Sequence, residues 1–138
     1  MRYRKTFAIH FLIICVVIQA LSGLVGGTWL LADPSGGKIG LPSSWLENSP
    51  FPDYTIPGVI LFTVLGLFPL FVAGGLIRDN KKALIAARLL GFALVIWIAV
   101  EIWIIGYQPE PPLQLIYGIL GIVIVYLAYS NSVNNYYT

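Results

Sequence analysis

Residues 93–110 read ALVIWIAVEIWIIGYQPE, an almost wholly apolar run that contains a single mid-run carboxylate, Glu101. A transmembrane strand needs only about 10 residues of alternating polarity, and this run is longer and does not alternate. It belongs to a segment long enough for a helix that crosses a hydrocarbon core of ~30 Å. A carboxylate in such a helix is costly in lipid, so Glu101 should face protein or water and have a partner.

The composition of the whole chain indicates a membrane environment. Of the 138 residues, 58% are hydrophobic and only 10% are charged, whereas a soluble domain carries roughly 25% charged residues. So few charges cannot cover a water-facing surface, and hydrocarbon is therefore the expected solvent. The length predicts one domain, residues 1–138.

Four apolar segments are long enough to span a membrane as helices. They cover residues 7–31, 57–77, 83–107 and 113–129, and residues 32–56 form the one long loop. Within that loop, Ser44 and Glu47 have the spacing of a capping box, which predicts a short helix. The sequence thus predicts an all-α fold, a membrane-spanning antiparallel four-helix bundle with a structured outer loop between the first two helices.

The basic residues predict the orientation of this bundle. They cluster before the first segment and between the second and third segments, at Arg2, Arg4, Lys5, Arg78, Lys81 and Lys82. The first loop carries only Lys38, and the third loop and the C-terminal tail carry no Lys or Arg. By the positive-inside rule, both termini are expected in the cytoplasm and the protein in the cytoplasmic (inner) membrane, as a multi-pass protein.

Several single residues predict local features. Asp53 is a candidate N-cap of the second helix, and Pro69 should loosen that helix near Phe68 and Leu70. Arg88, one turn inside the third helix, should snorkel to headgroups. The polar tail, residues 130–138, is expected to be frayed.

Small residues recur at the spacing of close helix contacts in lipid. They are Gly23 and Gly27, Ser22 and Gly26, Ala87 and Gly91, and Gly118 and Gly121. Two interpretations are open, contacts within one bundle or contacts in a homodimer. A stripe of Cys15, Gln19, Ser22 and Gly26 is expected to face inward.

A polar layer is expected near Glu101. Counting about six residues, ~9 Å, inward from each outer loop places one polar side chain of every helix at the same depth. The candidate ligand-binding residues are Glu101, Tyr117, Thr63 and Thr28, with Gln114 just above them and Trp97 one turn below Glu101.

Three roles for Glu101 remain open at this stage. Tyr117, a threonine hydroxyl or Lys38 could satisfy it, and it would then specify packing. It could instead form a ligand or proton site under the folded loop. It could also contact a partner subunit.

The sequence contains no recognisable catalytic set. Its single Cys15 cannot form an internal disulfide, and the single His10 with no Cys/His cluster predicts no structural metal. Nucleotide-binding, nucleophile-elbow and zinc-protease motifs are not found, and basic residues are too few for nucleic acid. We therefore expect no cofactor and a role that is not enzymatic.

Residues 45–58, WLENSPFPDYTIPG, lead into the second helix. This segment resembles one found in uncharacterised small bacterial membrane proteins of four helices, and the layout of the chain resembles that of the DoxX-like group. The resemblance implies a bacterial cytoplasmic membrane and brings no active residues with it.

Two functions of different classes follow from these observations. The first is a non-enzymatic bundle that associates with or stabilises a membrane assembly, with lipid and other membrane subunits or a second copy as partners. The second is a small transporter or carrier of a lipophilic or protonatable ligand that uses Glu101. An enzyme that acts on quinone or lipid is a weaker third alternative.

Overall fold

The computed structural model describes residues 5–37, 46, 49–106 and 113–138, in which all regular structure is helical. The elements are α1 (Phe7–Ala32), α2 (Thr55–Phe62), a π-helical turn (Thr63–Leu67), α3 (Phe68–Ile77), α4 (Lys81–Ile105), α5 (Leu113–Tyr129) and α6 (Asn131–Tyr137). The predicted all-α class is therefore confirmed for the described part of the chain. The capping-box helix predicted at residues 44–47 lies outside the described residues except for Leu46.

Three stretches are long and apolar enough to cross a membrane, Phe7–Ala32, Thr55–Ile77 and Lys81–Ile104. A fourth crossing results if α5 and α6, which are bent by 60° relative to each other, are counted together. The four apolar segments predicted from the sequence lie on these helices, with ends that differ by two residues or fewer.

Glycines bring α1 against the second long segment. A Cβ on Gly23 would overlap the Leu65 carbonyl, and one on Gly27 would lie 2.6 Å from the Phe62 nitrogen. Nearer the end of α1, Leu30 lies against Gly58. As residue numbers rise along α1, the residue numbers of the contacts on the second segment fall, so the two segments run in opposite directions. Their backbones touch because no side chain separates them.

The α4–α5 contact is built in the same way. A Cβ on Gly91 would lie 2.6 Å from the Val125 side chain and 3.2 Å from the Gly121 carbonyl oxygen. The small-residue faces at Gly23, Gly27, Gly91 and Gly121 are therefore occupied by helices of the same chain. Cys15 and Gln19 of the predicted inward stripe are buried, whereas Ser22 and Gly26 are half-buried, and the buried face continues through Gly23 and Gly27 instead.

The main core lies toward one end of the molecule, the basic end, which we define by Lys5, Asp79 and Tyr136. The Lys5 ammonium lies 3.1 Å from the Asp79 carboxylate, which also accepts a 2.7 Å hydrogen bond from the Tyr136 hydroxyl. The frayed tail predicted for residues 130–138 is wrong, because α6 buries Val133 and Tyr137, four residues apart, in this core.

The opposite end, the loop end, is defined by Leu30, Tyr54 and Gly106. It contains a second, smaller cluster of Leu30, Leu46 and Tyr54. The helix predicted to be capped by Asp53 begins at Thr55, with Tyr54 in the N-cap position. The Asp53 carboxylate still accepts a 2.9 Å hydrogen bond from the Thr55 N–H, and this bond holds the pKa of Asp53 below its ordinary value.

Candidate functional site

The break in the second long segment frees one backbone carbonyl. Proline has no N–H, so Pro69 cannot donate to the carbonyl four residues earlier, that of Leu65. The side-chain amide of Gln19 on α1 supplies the missing donor, with Nε2 3.0 Å from the Leu65 oxygen. The distortion predicted at Phe68 and Leu70 lies one turn earlier, in the π-helical turn 63–67.

Arg88, like Gln19, donates to a main-chain carbonyl, here at the bend between α5 and α6. Its Nε donates to the Ala128 carbonyl oxygen at 3.1 Å, and its Nη2 donates to the Asn134 side chain at 2.9 Å. The guanidinium carbon lies 4.2 Å from the centre of the Tyr129 ring, a cation–π distance. Arg88 therefore turns toward α5 and α6, and its expected snorkelling to headgroups stays a prediction.

Gln114 is the third amide or guanidinium side chain used in this way. It is buried on α5, and its Nε2 lies 3.2 Å from the carbonyl oxygen of Gly106, directly after the end of α4. The same nitrogen lies 3.4 Å from Oε1 of Glu101. Gln19, Arg88 and Gln114 thus each satisfy a main-chain carbonyl at a helix end or break, which would otherwise be costly in an apolar setting.

Glu101 differs from these three residues because an ionised carboxylate only accepts hydrogen bonds and cannot satisfy a carbonyl. The residue is half-buried on α4. Within the described residues its one hydrogen bond is the 3.4 Å contact from Gln114, which is longer than the 2.7–3.2 Å range typical of N–H···O bonds. Glu101 therefore has spare capacity to accept hydrogen bonds.

Tyr54 is a candidate site residue that was not predicted from the sequence. It is 6% exposed and precedes α2 at the loop end. Burial, and after it the negative charge of Glu101, raises the pKa of the Tyr54 phenol above its ordinary value. Tyr54 is therefore within electrostatic range of Glu101. Its position just before the second helix, level with the end of the third, is the signal that could have identified it.

The structure gathers only some of the predicted ligand-binding residues. Trp97 and Tyr117 are half-buried on α4 and α5 and pack against the main core. Thr28 and Thr63 are exposed, and the Thr63 hydroxyl donates back to the Val59 carbonyl of its own segment at 2.7 Å. Both threonines thus lie on exposed faces, because a depth count gives the level along a helix and not the face around it, and their ligand-binding role stays a prediction.

We name Glu101, Gln114 and Tyr54 the carboxylate cluster. It contains a carboxylate that accepts hydrogen bonds, an amide that also donates to the carbonyl after α4, and a phenol. The carboxylate suits binding of a group that donates hydrogen bonds. In the described part of the chain, no three His, Cys, Asp or Glu side chains come together as metal ligands would.

The DoxX-like resemblance of the layout stays a prediction, since nothing bears on it. Comparison of the chain with protein-family models, with curated proteins and with solved structures finds no match.

Proposed function

We propose that this chain is a multi-pass protein of a bacterial cytoplasmic membrane that binds a lipophilic ligand through Glu101. In this proposal the helices form an antiparallel four-helix bundle, with α5 as the fourth crossing and α6 at the membrane boundary. The described basic residues support the orientation, since Lys5, Arg78, Lys81 and Lys82 belong to the basic end. Both termini then lie in the cytoplasm, and the carboxylate cluster lies toward the outer side.

The observation that carries the proposal is the contrast between Glu101 and the other polar side chains in the apolar segments. Gln19, Arg88 and Gln114 each repair a helix end or break of this fold. Among the residues that the structure describes, Glu101 satisfies no carbonyl and has one long contact, that from Gln114. An ionisable side chain that is costly in lipid and has no structural task is a candidate functional group.

The packing at the loop end also favours binding. α2 packs on α1 and on the π-helical turn, whereas α4 packs mainly on α5. Beyond Ile98, α4 has no fully buried side chain among its described residues. Among the described residues, the two helix pairs therefore have little contact near the carboxylate cluster. Ligand pockets commonly lie between the helices of bundles.

The expected ligand has an apolar body and a cationic or hydrogen-bond-donating group. The donating group would meet Glu101, and Trp97 and Tyr117 on the same helix pair would favour a cation through their ring faces. Charge-assisted hydrogen bonds to a carboxylate are stronger than neutral ones. A long-chain amine fits this description better than a fatty acid of the same length.

The assembly role receives less support than ligand binding. It was motivated by small-residue faces, and Gly23, Gly27, Gly91 and Gly121 contact helices of this chain. The remaining exposed apolar side chains are what lipid itself would cover. Purification in mild detergent tests the role, since a stable complex with other membrane subunits would support it and a lone monomer would count against it.

The ligand test uses a single-chain alkyl amine and the purified protein. Wild-type protein in detergent micelles is expected to bind dodecylamine, and Glu101→Gln should weaken binding by about tenfold or more, because a charge-assisted hydrogen bond contributes about 1.5–3 kcal/mol. Dodecanoic acid should bind both proteins equally weakly. Calorimetric or fluorescence titration gives the dissociation constants.

The control variant is Thr63→Val, which removes an exposed hydroxyl that donates to the Val59 carbonyl of its own segment and should leave amine binding unchanged. Mass spectrometry of small molecules released from protein purified from native membranes adds an independent reading, with amines or other donors expected. Equal amine binding by wild-type and Glu101→Gln proteins would overturn the proposal.

A further inference from the structure

The bend between α5 and α6 creates an open groove far from the carboxylate cluster. Its volume is about 410 Å³, and it is lined by Val125, Tyr126, Tyr129, Ser130 and Asn131. Ser130 links the two helices, which meet at 60°. One side of the groove is therefore aromatic and apolar, and the other side is polar.

A positive charge lies beside this groove. The Arg88 guanidinium stacks on the ring of Tyr129, which forms part of the groove wall. Its Nε and Nη2 are used by Ala128 and Asn134, while Nη1 has no hydrogen bond within the described part of the chain. Arg88 therefore retains donors as well as charge.

The surrounding basic end is also positive. Arg78, Lys81 and Lys82 are exposed, and the one described acid at this end, Asp79, is neutralised by Lys5. An anionic group in the groove would thus meet the charge of Arg88, at an end of the molecule that carries further exposed bases. Each basic side chain near an anionic lipid surface contributes about 1 kcal/mol.

The apolar side of the groove continues along α5. Ile122, Val125, Tyr126 and Tyr129 recur at three-, one- and three-residue steps and so share one face. Ile122 is 60% exposed and Tyr126 is 74% exposed. A hydrocarbon chain can lie along this face while its headgroup remains at the bend, where tyrosines suit the boundary between lipid and water.

We propose that the α5–α6 groove binds one anionic phospholipid, with its headgroup at Ser130 and Asn131 beside Arg88 and an acyl chain along Ile122 and Tyr126. The inference rests on the membrane placement given under the proposed function and is independent of the ligand at Glu101. A phospholipid is favoured over free phosphate because the apolar face directly continues the polar one.

The test places a single negative charge in the groove. Protein in micelles that contain equal amounts of phosphatidylglycerol and phosphatidylcholine, with the same acyl chains, is examined by native mass spectrometry. Wild type should retain one phosphatidylglycerol with a preference of about fivefold, and Asn131→Asp should lower this retention about fivefold. Glu101→Gln should retain the lipid as wild type does.

Asn135→Asp is the matched control, since Asn135 is exposed on the same helix and does not line the groove. It changes the net charge equally and should keep the lipid. The inference would be overturned if both variants lost phosphatidylglycerol equally, or if wild type retained the two lipids equally. It would also be overturned if soluble glycerol 3-phosphate at about 1 mM displaced the bound lipid. If the protein failed to insert into bilayers, the membrane placement would be overturned as well. The lipid results alone would leave the membrane placement unchanged.

Discussion

Gly23→Val is expected to destabilise the protein by about 3 kcal/mol or more, at or above the upper end of the usual range for overpacking. A Cβ at this position would overlap the carbonyl oxygen of Leu65 and lie 2.7 Å from the Gly66 nitrogen. Both obstacles are main-chain atoms, so no rotamer change relieves the contact. Only separation of α1 from the π-helical turn can do so. Unfolding by SDS in mixed micelles measures the loss.

Gly74→Val is the matched control for this prediction. Gly74 lies in the neighbouring helix α3, and nothing lies within 4 Å of a Cβ built there. Replacing a helical glycine that has open space beside it should be neutral or slightly stabilising. Similar losses at Gly23 and Gly74 would contradict the close approach of α1 to the π-helical turn.

The second large effect is a coupling between Gln19 and Pro69. Gln19→Met keeps the side-chain length but leaves the Leu65 carbonyl without its donor, which should cost about 1–2 kcal/mol. The cost stays at the low end because Oε1 of Gln19 is itself buried without a hydrogen bond to any described residue. In a Pro69→Ala background, Ala at position 69 has an N–H for Leu65, and Gln19→Met should then cost little.

A double-mutant cycle measures this coupling directly, using the same SDS unfolding for wild type, both single variants and the double variant. The expected coupling free energy is about 1 kcal/mol, within the range found for residues that share a hydrogen-bonding network. Strictly additive effects would show that Gln19 does not compensate for the proline.

The sequence predicts the helices well because each is a long apolar run, three of them long and apolar enough to cross a membrane. It also predicts the close contact at Gly23 and Gly27, since their spacing places two small residues on one face. These features depend on length and spacing along one segment, which a sequence shows directly.

The sequence predicts the faces of the helices poorly. A helix that is apolar all round carries little amphipathic signal, so the depth count placed Thr28 and Thr63 beside Glu101 although both are exposed. The prediction that residues 130–138 are frayed was wrong for a related reason. Its composition is polar, and only the four-residue spacing of Val133 and Tyr137 indicated that one face of α6 packs on the core.

Helix breaks explain why polar residues that are distant in sequence lie together. Gln19 and Pro69 are 50 positions apart in the sequence, and Arg88 and Ala128 are 40 positions apart. The sequence shows the proline and the amide but not which carbonyl is freed or which neighbouring helix reaches it. The partners of Gln19 and Arg88 therefore needed the three-dimensional structure, and so did the spare capacity of Glu101.

Glu101 is expected not to be required for the fold, and the free energy of unfolding of Glu101→Leu tests this expectation most directly. This variant removes the 3.4 Å contact with Gln114 and also removes a carboxylate from an apolar helix. We expect a change within about 0.5 kcal/mol of wild type, or a gain in stability, in the same SDS titration in which Gln19→Met loses stability. A loss of about 2 kcal/mol or more would contradict the claim, because Glu101 would then be part of the packing of the bundle.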